Sequence, residues 1–461
     1  MLLALQTFIL LYFITLNLSF ALSLYIAAKE LGIILRSNED INLKSLLERD
    51  FYKPISLLVP AYNEEATIVA SLNSLLNLHY PEYEVVVVND GSKDNTAEVV
   101  KAYYDLYPAV IYTRKLIETK PIRAIYRSRK YPNLLFIDKA NGGKADALNA
   151  ALLHSQYPIF CAMDADSLLD SQALLRSARQ FTEDDTLIAT GGTIRSLNNA
   201  ETSYGQILKL KAPVKWIERF QVVEYIRAFL AGRTTLSNLG MLLIISGAFG
   251  LFKRSVVLEV GGYRTDTVGE DMELVVRLHR HMREKKRPYR ISYTMDPICW
   301  TQVPDDWRVL RKQRNRWHRG LLETLWNHRQ MMLNPRYGRI GMLAMPYFWL
   351  FEALSPLIEI GGYALLMVLI MLGKINFVFA SMFMVLAVLS GILISMSAFG
   401  IEAFMRNRYP TSKDRLLLLL ASVLENFGYR QLIAWERLVA SFQVFKKKGQ
   451  WGEMKRQAIK T

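Results

Sequence analysis

Several short stretches of this chain carry side chains that could do chemistry together. Asp164-Ala165-Asp166 sets two carboxylates two residues apart. On an extended segment both point to one side, where they could hold Mg2+ or Mn2+ beside a diphosphate. Asn141-Gly142-Gly143-Lys144 is a glycine-rich loop entering a helix, a natural anion site with a cation attached, although its spacing is not that of a Walker P-loop. Glu270-Asp271 follows Gly261-Gly262-Tyr263 and precedes an amphipathic stretch, so Asp271 could accept the proton of an attacking hydroxyl. In Gln313-Arg314-Asn315-Arg316-Trp317, Arg316 offers a planar donor fork for phosphate, and Trp317 offers a flat face for a sugar ring. Singly, each has a bland reading: a solvated acidic turn, a plain turn with a surface lysine, a helix-start carboxylate, an interfacial helix with snorkelling Arg and Trp. In this order they describe the handling of a phosphate-bearing donor at a membrane surface.

Such side chains need a scaffold that brings them to one edge. Ile55-Ser56-Leu57-Leu58-Val59-Pro60 reads as a buried strand ending at proline, and Glu64 and Glu65 open the helix after it, where negative charge is favoured. Glu84-Val85-Val86-Val87-Val88 is a continuous apolar strand that stops at Asn89-Asp90-Gly91-Ser92, with a helix from about Asn95. Leu134-Leu135-Phe136-Ile137 and Ile159-Phe160-Cys161-Ala162-Met163 complete the set, with a helix over Ala145–Leu153 between them. Apolar runs of this kind belong to a parallel sheet covered on both faces. Their alternation with helices predicts an α/β doubly wound domain, which binds ligands beyond the C-terminal strand ends. Asp90, Asp164 and Asp166 all fall at such ends.

The chain has 461 residues, 51% apolar and 21% charged. Those averages conceal two populations. Residues 2–28 and 375–401 carry no charged side chain, and a helix of either length spans ~40 Å against the roughly 30 Å of a bilayer core. Nothing basic precedes the first run, and it is longer than a signal h-region; it reads as an uncleaved anchor. Lys29 and Arg36 follow it, so the positive-inside rule puts the large domain in the cytoplasm of a multi-pass cell-membrane protein. The net charge of +15 suits anionic lipid and an anionic substrate. Its basic residues are dispersed, with no recognised nucleic-acid motif, which argues against nucleic acid as a partner. Cys161 and Cys299 form no disulfide framework, and Cys161, inside an apolar strand, reads as buried and inert.

The expected organisation is an anchor over 1–36, a linker over 37–50, a catalytic domain with interfacial helices over 51–335, membrane or re-entrant helices over 336–445 and a basic tail over 446–461. Residues 205–245 and 306–330 read as amphipathic helices. Pro346 and Pro356 should kink the segment 340–372. The stretch 416–443 carries Glu425, Arg430, Glu436 and Arg437, and reads as a re-entrant pair broken near Gly428 or as an interfacial element. Glu352 and Glu359 share one helix face, as do Arg430 and Arg437; intramembrane charges usually pair, so these faces should meet.

The stretches Val59-Pro60-Ala61-Tyr62-Asn63-Glu64-Glu65, Val88-Asn89-Asp90-Gly91-Ser92, Asn141–Asn149, Asp164-Ala165-Asp166, Ser246-Gly247-Ala248-Phe249-Gly250, Gly269-Glu270-Asp271 and Gln313–Trp317 together resemble the membrane-integrated, processive branch of family 2 glycosyltransferases. Members of that branch make cellulose, hyaluronan, chitin oligosaccharide and poly-β-1,6-N-acetylglucosamine. The resemblance covers about 55–340 and implies a GT-A fold. It implies that Ala61, Tyr62, Glu64 and Asp90 hold uridine, that Lys144 approaches the diphosphate, and that Asp164 lies near ribose and diphosphate. Asp166, with Asp164, would bind the metal. Glu270 and Asp271 would form the catalytic pair, with Asp271 as base. Gln313 and Arg316 would contact the diphosphate, and Trp317 would stack under the acceptor sugar near Phe249. The implied reaction is inverting transfer from a UDP-sugar, foremost UDP-N-acetylglucosamine, to a growing β-linked polysaccharide.

Two departures stand out. Gly269 replaces the Thr that many relatives carry before the Glu-Asp pair, and one anchor precedes the catalytic segment where several relatives have two. The few remaining crossings point to a small membrane partner subunit or a homo-oligomer. The alternatives are a non-processive transferase acting on a lipid or short acceptor, and a non-enzymatic transport or scaffold subunit, against which the intact acidic set argues.

Overall fold

The computed structural model describes residues 2–40, 52–203, 206–406 and 409–444. The basic tail, most of the linker and the side chain of Arg36 lie outside the described residues, as do Arg408 and the side chain of Arg406 in the basic loop that the sequence places between the last two apolar stretches. The chain divides into two units: a sheet unit of 52–210 with 242–302, and a helical unit of 2–39, 211–241 and 303–444. The boundary is therefore not a single cut near 335. Residues 211–241 and 303–335 group with the apolar helices rather than with the sheet.

The sheet unit is built on β1 (Ile55–Ala61), β2 (Tyr83–Asn89), β3 (Leu106–Ala109), β4 (Ile122–Ser128), β5 (Leu134–Lys139), β6 (Ile159–Met163), β7 (Leu168–Leu169), β8 (Leu187–Ser196), a separate hairpin of β9 (Glu201–Ser203) and β10 (Gln206–Lys209), then β11 (Phe249–Lys253) and β12 (Arg290–Thr301). The main sheet runs β3-β4-β5-β2-β1-β6-β11-β8-β12-β7. Its centre, β5-β2-β1-β6, is parallel, as the apolar runs predict. Its flanks are not: β4 and β11 run antiparallel to their central neighbours, so the sheet is mixed rather than purely doubly wound. Core apolar residues of β1, β2, β5 and β6 are almost wholly buried, because helices and loops cover both faces.

The helical unit contains two helices long and apolar enough to cross a bilayer, Leu2–Ile33 and Phe377–Ala403. Ile9, Tyr12 and Phe13 of the first pack with Leu369, Phe379 and Phe383, and Asn17 donates to the Leu386 carbonyl at 3.0 Å. The expected kink between the prolines lies just ahead of Pro356, as a 40° bend between Ile340–Ala353 and Ser355–Met371. The expected break near Gly428 separates Ser412–Leu424 from Tyr429–Gln443 at 55°. Gly428, at φ +100°, turns the chain where an L side chain would be strained. The residues 211–245 form a helix over Trp216–Tyr225, a π-helical turn over Ile226–Arg233 and a short helix to Asn238.

Of the two acidic and two basic positions expected to meet, one pair does. Arg437 lies 3.2 Å from the Glu352 carboxylate, while Arg430 donates to Asn426 of its own segment at 2.8 Å and forms no ion pair with Glu359 among the described residues. A local amide at the helix break captures Arg430 before a carboxylate on another helix can.

Candidate active site

The strand register levels the chemistry. Ala61 pairs with Asn89 and Asn89 with Asp138, so β1, β2 and β5 end side by side. Phe249 pairs with Met163, so the antiparallel β11 starts where β6 stops and brings Ser246-Gly247 to the same edge. Asp90 donates its N–H to the Ala61 carbonyl at 2.9 Å. Its buried carboxylate accepts from Lys139 Nζ at 2.7 Å, Gly142 N–H at 3.0 Å and Gly143 N–H at 2.7 Å. Asp90 thus holds the glycine-rich loop that ends at Lys144. Tyr62 is half-exposed beside it, and Glu64 is buried, accepting from the Thr67 hydroxyl at 2.7 Å.

Lys139 was not singled out in the sequence, where it is one basic residue past an apolar run. It is fully buried and bridges Asp90 at 2.7 Å and Asp146 at 2.5 Å. Asp146 in turn accepts the Lys120 N–H at 3.1 Å. A lysine at the end of a strand, two residues before Asn-Gly-Gly, was the available signal, because a buried cation requires carboxylate partners.

Lys144 opens the helix Lys144–His154. Its Nζ sits 2.5 Å from Asp164, 3.6 Å from Glu270 and 3.2 Å from the Gly247 carbonyl. Burial opposes its charge, but Asp164, Glu270 and Asp271 outweigh that and hold the ammonium above its ordinary value. Asp271 stands in the first turn of the helix Glu270–Glu284, where the helix dipole favours a carboxylate. It accepts from the Gly247 N–H at 3.1 Å and the Met272 N–H at 2.8 Å. Glu270 is buried beside it. Tyr263, in the wall of the same small cavity, has its hydroxyl pKa raised by burial and then by Glu270 and Asp271. Cys161 is buried and free, its thiol pushed up by burial; it is inert, as expected.

Asp164 follows β6 with its side chain a third exposed, whereas Asp166 is only 2% exposed. Among the described residues no three His, Cys, Asp or Glu side chains converge as a metal cage. The donor set is two oxygen-bearing carboxylates, which fits Mg2+ or Mn2+ completed by diphosphate oxygens rather than a protein-only site.

Four expected residues remain: Gln313, Arg316, Trp317 and Phe249. Gln313, Arg316 and Trp317 stand on the helix Trp307–Asn327 of the helical unit. Gln313 Oε1 is buried without a hydrogen-bond partner, Arg316 is half-exposed, and Trp317 is 44% exposed. Arg314, which sequence reasoning passed over, is buried against Glu224. Phe249, expected at the acceptor, belongs to the sheet unit and is 0% exposed. It is a core residue of β11, because strand pairing with β6 turns its side chain into the sheet's packing.

This arrangement can hold a diphosphate and deprotonate a hydroxyl. Residues 56–260 match the sequence profile described as glycosyl transferase family 2, and residues 159–397, over half of the chain, match that described as glycosyl transferase family group 2. The chain belongs to the family 2 glycosyltransferases. It is 32% identical over 278 residues to a poly-β-1,6-N-acetyl-D-glucosamine synthase of Staphylococcus epidermidis, covering 59% of this chain and 57% of that protein. It is 31% identical over 298 residues to the synthase of the same name from Staphylococcus aureus strain COL, covering 64% and 60%. The chain thus spans less than two thirds of the length of these curated relatives. Among solved structures it resembles a mannosyltransferase of Pyrobaculum calidifontis in complex with GDP-Man and Mn2+, with TM-score 0.51 and 19% identity over 90% of this chain and 99% of that one. That likeness is one of fold, and the sheet unit has the GT-A architecture.

Proposed function

We propose that this chain transfers N-acetylglucosamine, with inversion, from UDP-N-acetylglucosamine to the end of a growing β-linked polysaccharide at the membrane. The observation that carries the reading is the meeting of Lys144, Asp164, Glu270 and Asp271 at the end of β6, in a family whose relatives above are named for a poly-N-acetylglucosamine product. Ala61, Tyr62, Glu64 and the loop fixed by Asp90 receive the uridine. Asp164 and Asp166 would hold a divalent ion, which neutralises charge building on the departing diphosphate; the Mn2+ in the mannosyltransferase supports this. Lys144 turns to the same charge, and Gln313 and Arg316 join it. Asp271 takes the proton of the acceptor hydroxyl as its oxygen bonds to the sugar C1 and the bond to UDP breaks. Trp317 carries the acceptor sugar, and Phe249 supports the strand from within. The two long apolar helices and bent pairs support a multi-pass protein, and the basic residues that follow the first apolar run support a cytoplasmic site. The two to four candidate crossings among the described residues support assembly with a small membrane subunit or a second copy.

Purified protein in detergent, given labelled UDP-sugars singly with Mg2+ or Mn2+, tests the reading. UDP release should be greatest with UDP-N-acetylglucosamine, should stop on chelation and return with metal, and should accompany a ladder of long products. Release from no UDP-sugar would remove the transferase reading, and a product that stops at one added sugar would remove processivity.

A further inference from the structure

Arg314 lies inside the Gln313–Trp317 stretch, yet the donor reading gives it no task. It is 3% exposed. Its Nη2 donates to Glu224 at 2.8 Å, and the Tyr429 hydroxyl donates to the same carboxylate oxygen at 2.9 Å. Its Nε is buried with no hydrogen-bond partner. Its guanidinium lies 4.3 Å from the centre of the Trp317 ring, one helical turn along. Glu224 is followed a turn later by Arg227, which pairs with Glu425 alongside Ser395. Glu224 and Arg227 therefore grip both sides of the break between the helices Ser412–Leu424 and Tyr429–Gln443.

A buried ion pair gains little net stability, because desolvation offsets attraction. Apolar side chains of similar volume would pack as well. What they could not do is fix direction. The Tyr429 hydroxyl holds the Glu224 carboxylate to which Nη2 donates, which anchors one edge of the planar guanidinium, and the guanidinium lies over the Trp317 ring. Trp317 is still 44% exposed, so part of the indole stays open to a ligand.

We propose that Arg314, braced by Glu224 and Tyr429, is a positioning residue that holds the Trp317 indole in the orientation that receives the acceptor sugar. The inference rests on the acceptor role given above to Trp317. It predicts that disturbing the brace harms acceptor use and product length while leaving donor use in place.

The experiment compares wild type, Trp317→Ala, Arg314→Lys and Tyr429→Phe in detergent. It measures KM for UDP-N-acetylglucosamine, KM for an N-acetylglucosamine oligosaccharide acceptor, product length and thermal unfolding. Arg314→Lys keeps the charge but loses the plane; it should raise the acceptor KM at least fivefold and shorten products, with the donor KM changed less than twofold. Tyr429→Phe removes a single hydroxyl and should shift the same quantities in the same direction, by less; it carries the test if Arg314→Lys does not fold. An unchanged acceptor KM and product length in folded Arg314→Lys or, failing that, Tyr429→Phe, while Trp317→Ala loses both, would overturn the inference alone. Equal rises in both KM values together with a lower unfolding temperature would also overturn it, as a structural role. If Trp317→Ala itself leaves acceptor use unchanged, the acceptor reading and this inference fall together, while the donor reading stands.

Discussion

The two units hold their charges in different ways. In the sheet unit, carboxylates at strand ends are met by backbone. Asp90 takes the N–H groups of Gly142 and Gly143, and Asp271 those of Gly247 and Met272. In the helical unit, ions are met by side chains from remote parts of the chain: Arg227 by Glu425, Arg314 by Glu224, Arg437 by Glu352. The cause is the state of the backbone. Turns at strand ends and the first turn of a helix leave N–H groups free, and acids at those places accept from them. Helices consume their own N–H groups, all the more so where lipid offers no water, so a charge there must find another side chain. Chemistry in the first unit is therefore written in short stretches, and in the second in long-range pairs.

The largest effect that could break this contrast is at Asp271. Asparagine there can still accept from Gly247 and Met272, so the fold should survive, but the base is gone. UDP release should fall about 10²–10⁴-fold, with the unfolding temperature nearly unchanged. Full activity in Asp271→Asn would mean that the backbone-held carboxylate is structural, and the distinction between the units would lose its functional meaning.

At Lys139, as at Lys144, the sheet unit meets a charge with side chains as the helical one does. Lys139 is a wholly buried cation between Asp90 and Asp146. Lys139→Met leaves both carboxylates buried without it, a change that should destabilise the unit by about 3–5 kcal/mol, read by denaturant unfolding. Adding Asp146→Asn should recover part of the loss by removing one of the two charges. A variant as stable as wild type would show that the Gly142 and Gly143 N–H groups suffice for Asp90.

How much could be read in advance follows from the same difference. The four central strands were legible because each is a continuous apolar run covered on both faces. Asp90, Lys144, Asp164 and Asp271 were legible because each sits where such a run stops or a helix starts. The strands β4, β8 and β12 were not: β4 mixes Arg and Tyr with Ile and Ala without a continuous apolar run, and β8 buries Thr, Gly and Arg195, which only the neighbouring strands give a reason to be inside. Gly428 announced the break in the last helix pair, since a positive φ there is a local demand. Arg314 was missed because a partner 90 residues away leaves no mark at its own position, and Lys139 because its place at a strand end ahead of Asn-Gly-Gly does not by itself reveal the two carboxylates it joins. Arg430 was misassigned for the converse reason: Asn426 lies four residues off and was nearer than the carboxylate.

A smaller effect in the sheet unit depends on pH. His279, on the helix that begins with Glu270, is 3% exposed. Its Nε2–H can donate to the Leu242 carbonyl at 2.9 Å while its Nδ1 accepts from the Tyr289 hydroxyl at 2.8 Å, an arrangement that suits the neutral ring. Burial lowers its pKa from 6.5 to about 4. As pH falls through 6.5 the unfolded chain takes up a proton that the folded one refuses until about 4, so stability is lost across that window, up to about 3 kcal/mol from this group. The unfolding free energy of wild type minus that of His279→Gln should shrink between pH 7 and pH 4. A difference independent of pH would place the charge of His279 outside the stability of this unit.

The smallest effects belong to two glycines, one in each unit. Gly91, at φ +67°, faces the loop that Asp90 holds, and a Cβ there would meet the Asn141 nitrogen at 2.8 Å. Gly428, at φ +100°, has no heavy atom within 4 Å of the same position. Both substitutions to alanine strain the backbone by about 1–2 kcal/mol, but only the first must also push a neighbour, and that neighbour is main chain. Gly91→Ala should therefore lower stability and weaken UDP binding through a displaced glycine-rich loop, measured by calorimetry. Gly428→Ala should lower stability alone, since open space absorbs the methyl group and the ion pairs on either side of the break can follow a small rotation. If Gly428→Ala instead shortened the polymer as Arg314→Lys is expected to, the break would belong to the brace on Trp317. The helical unit would then carry function in a local turn, as the sheet unit does.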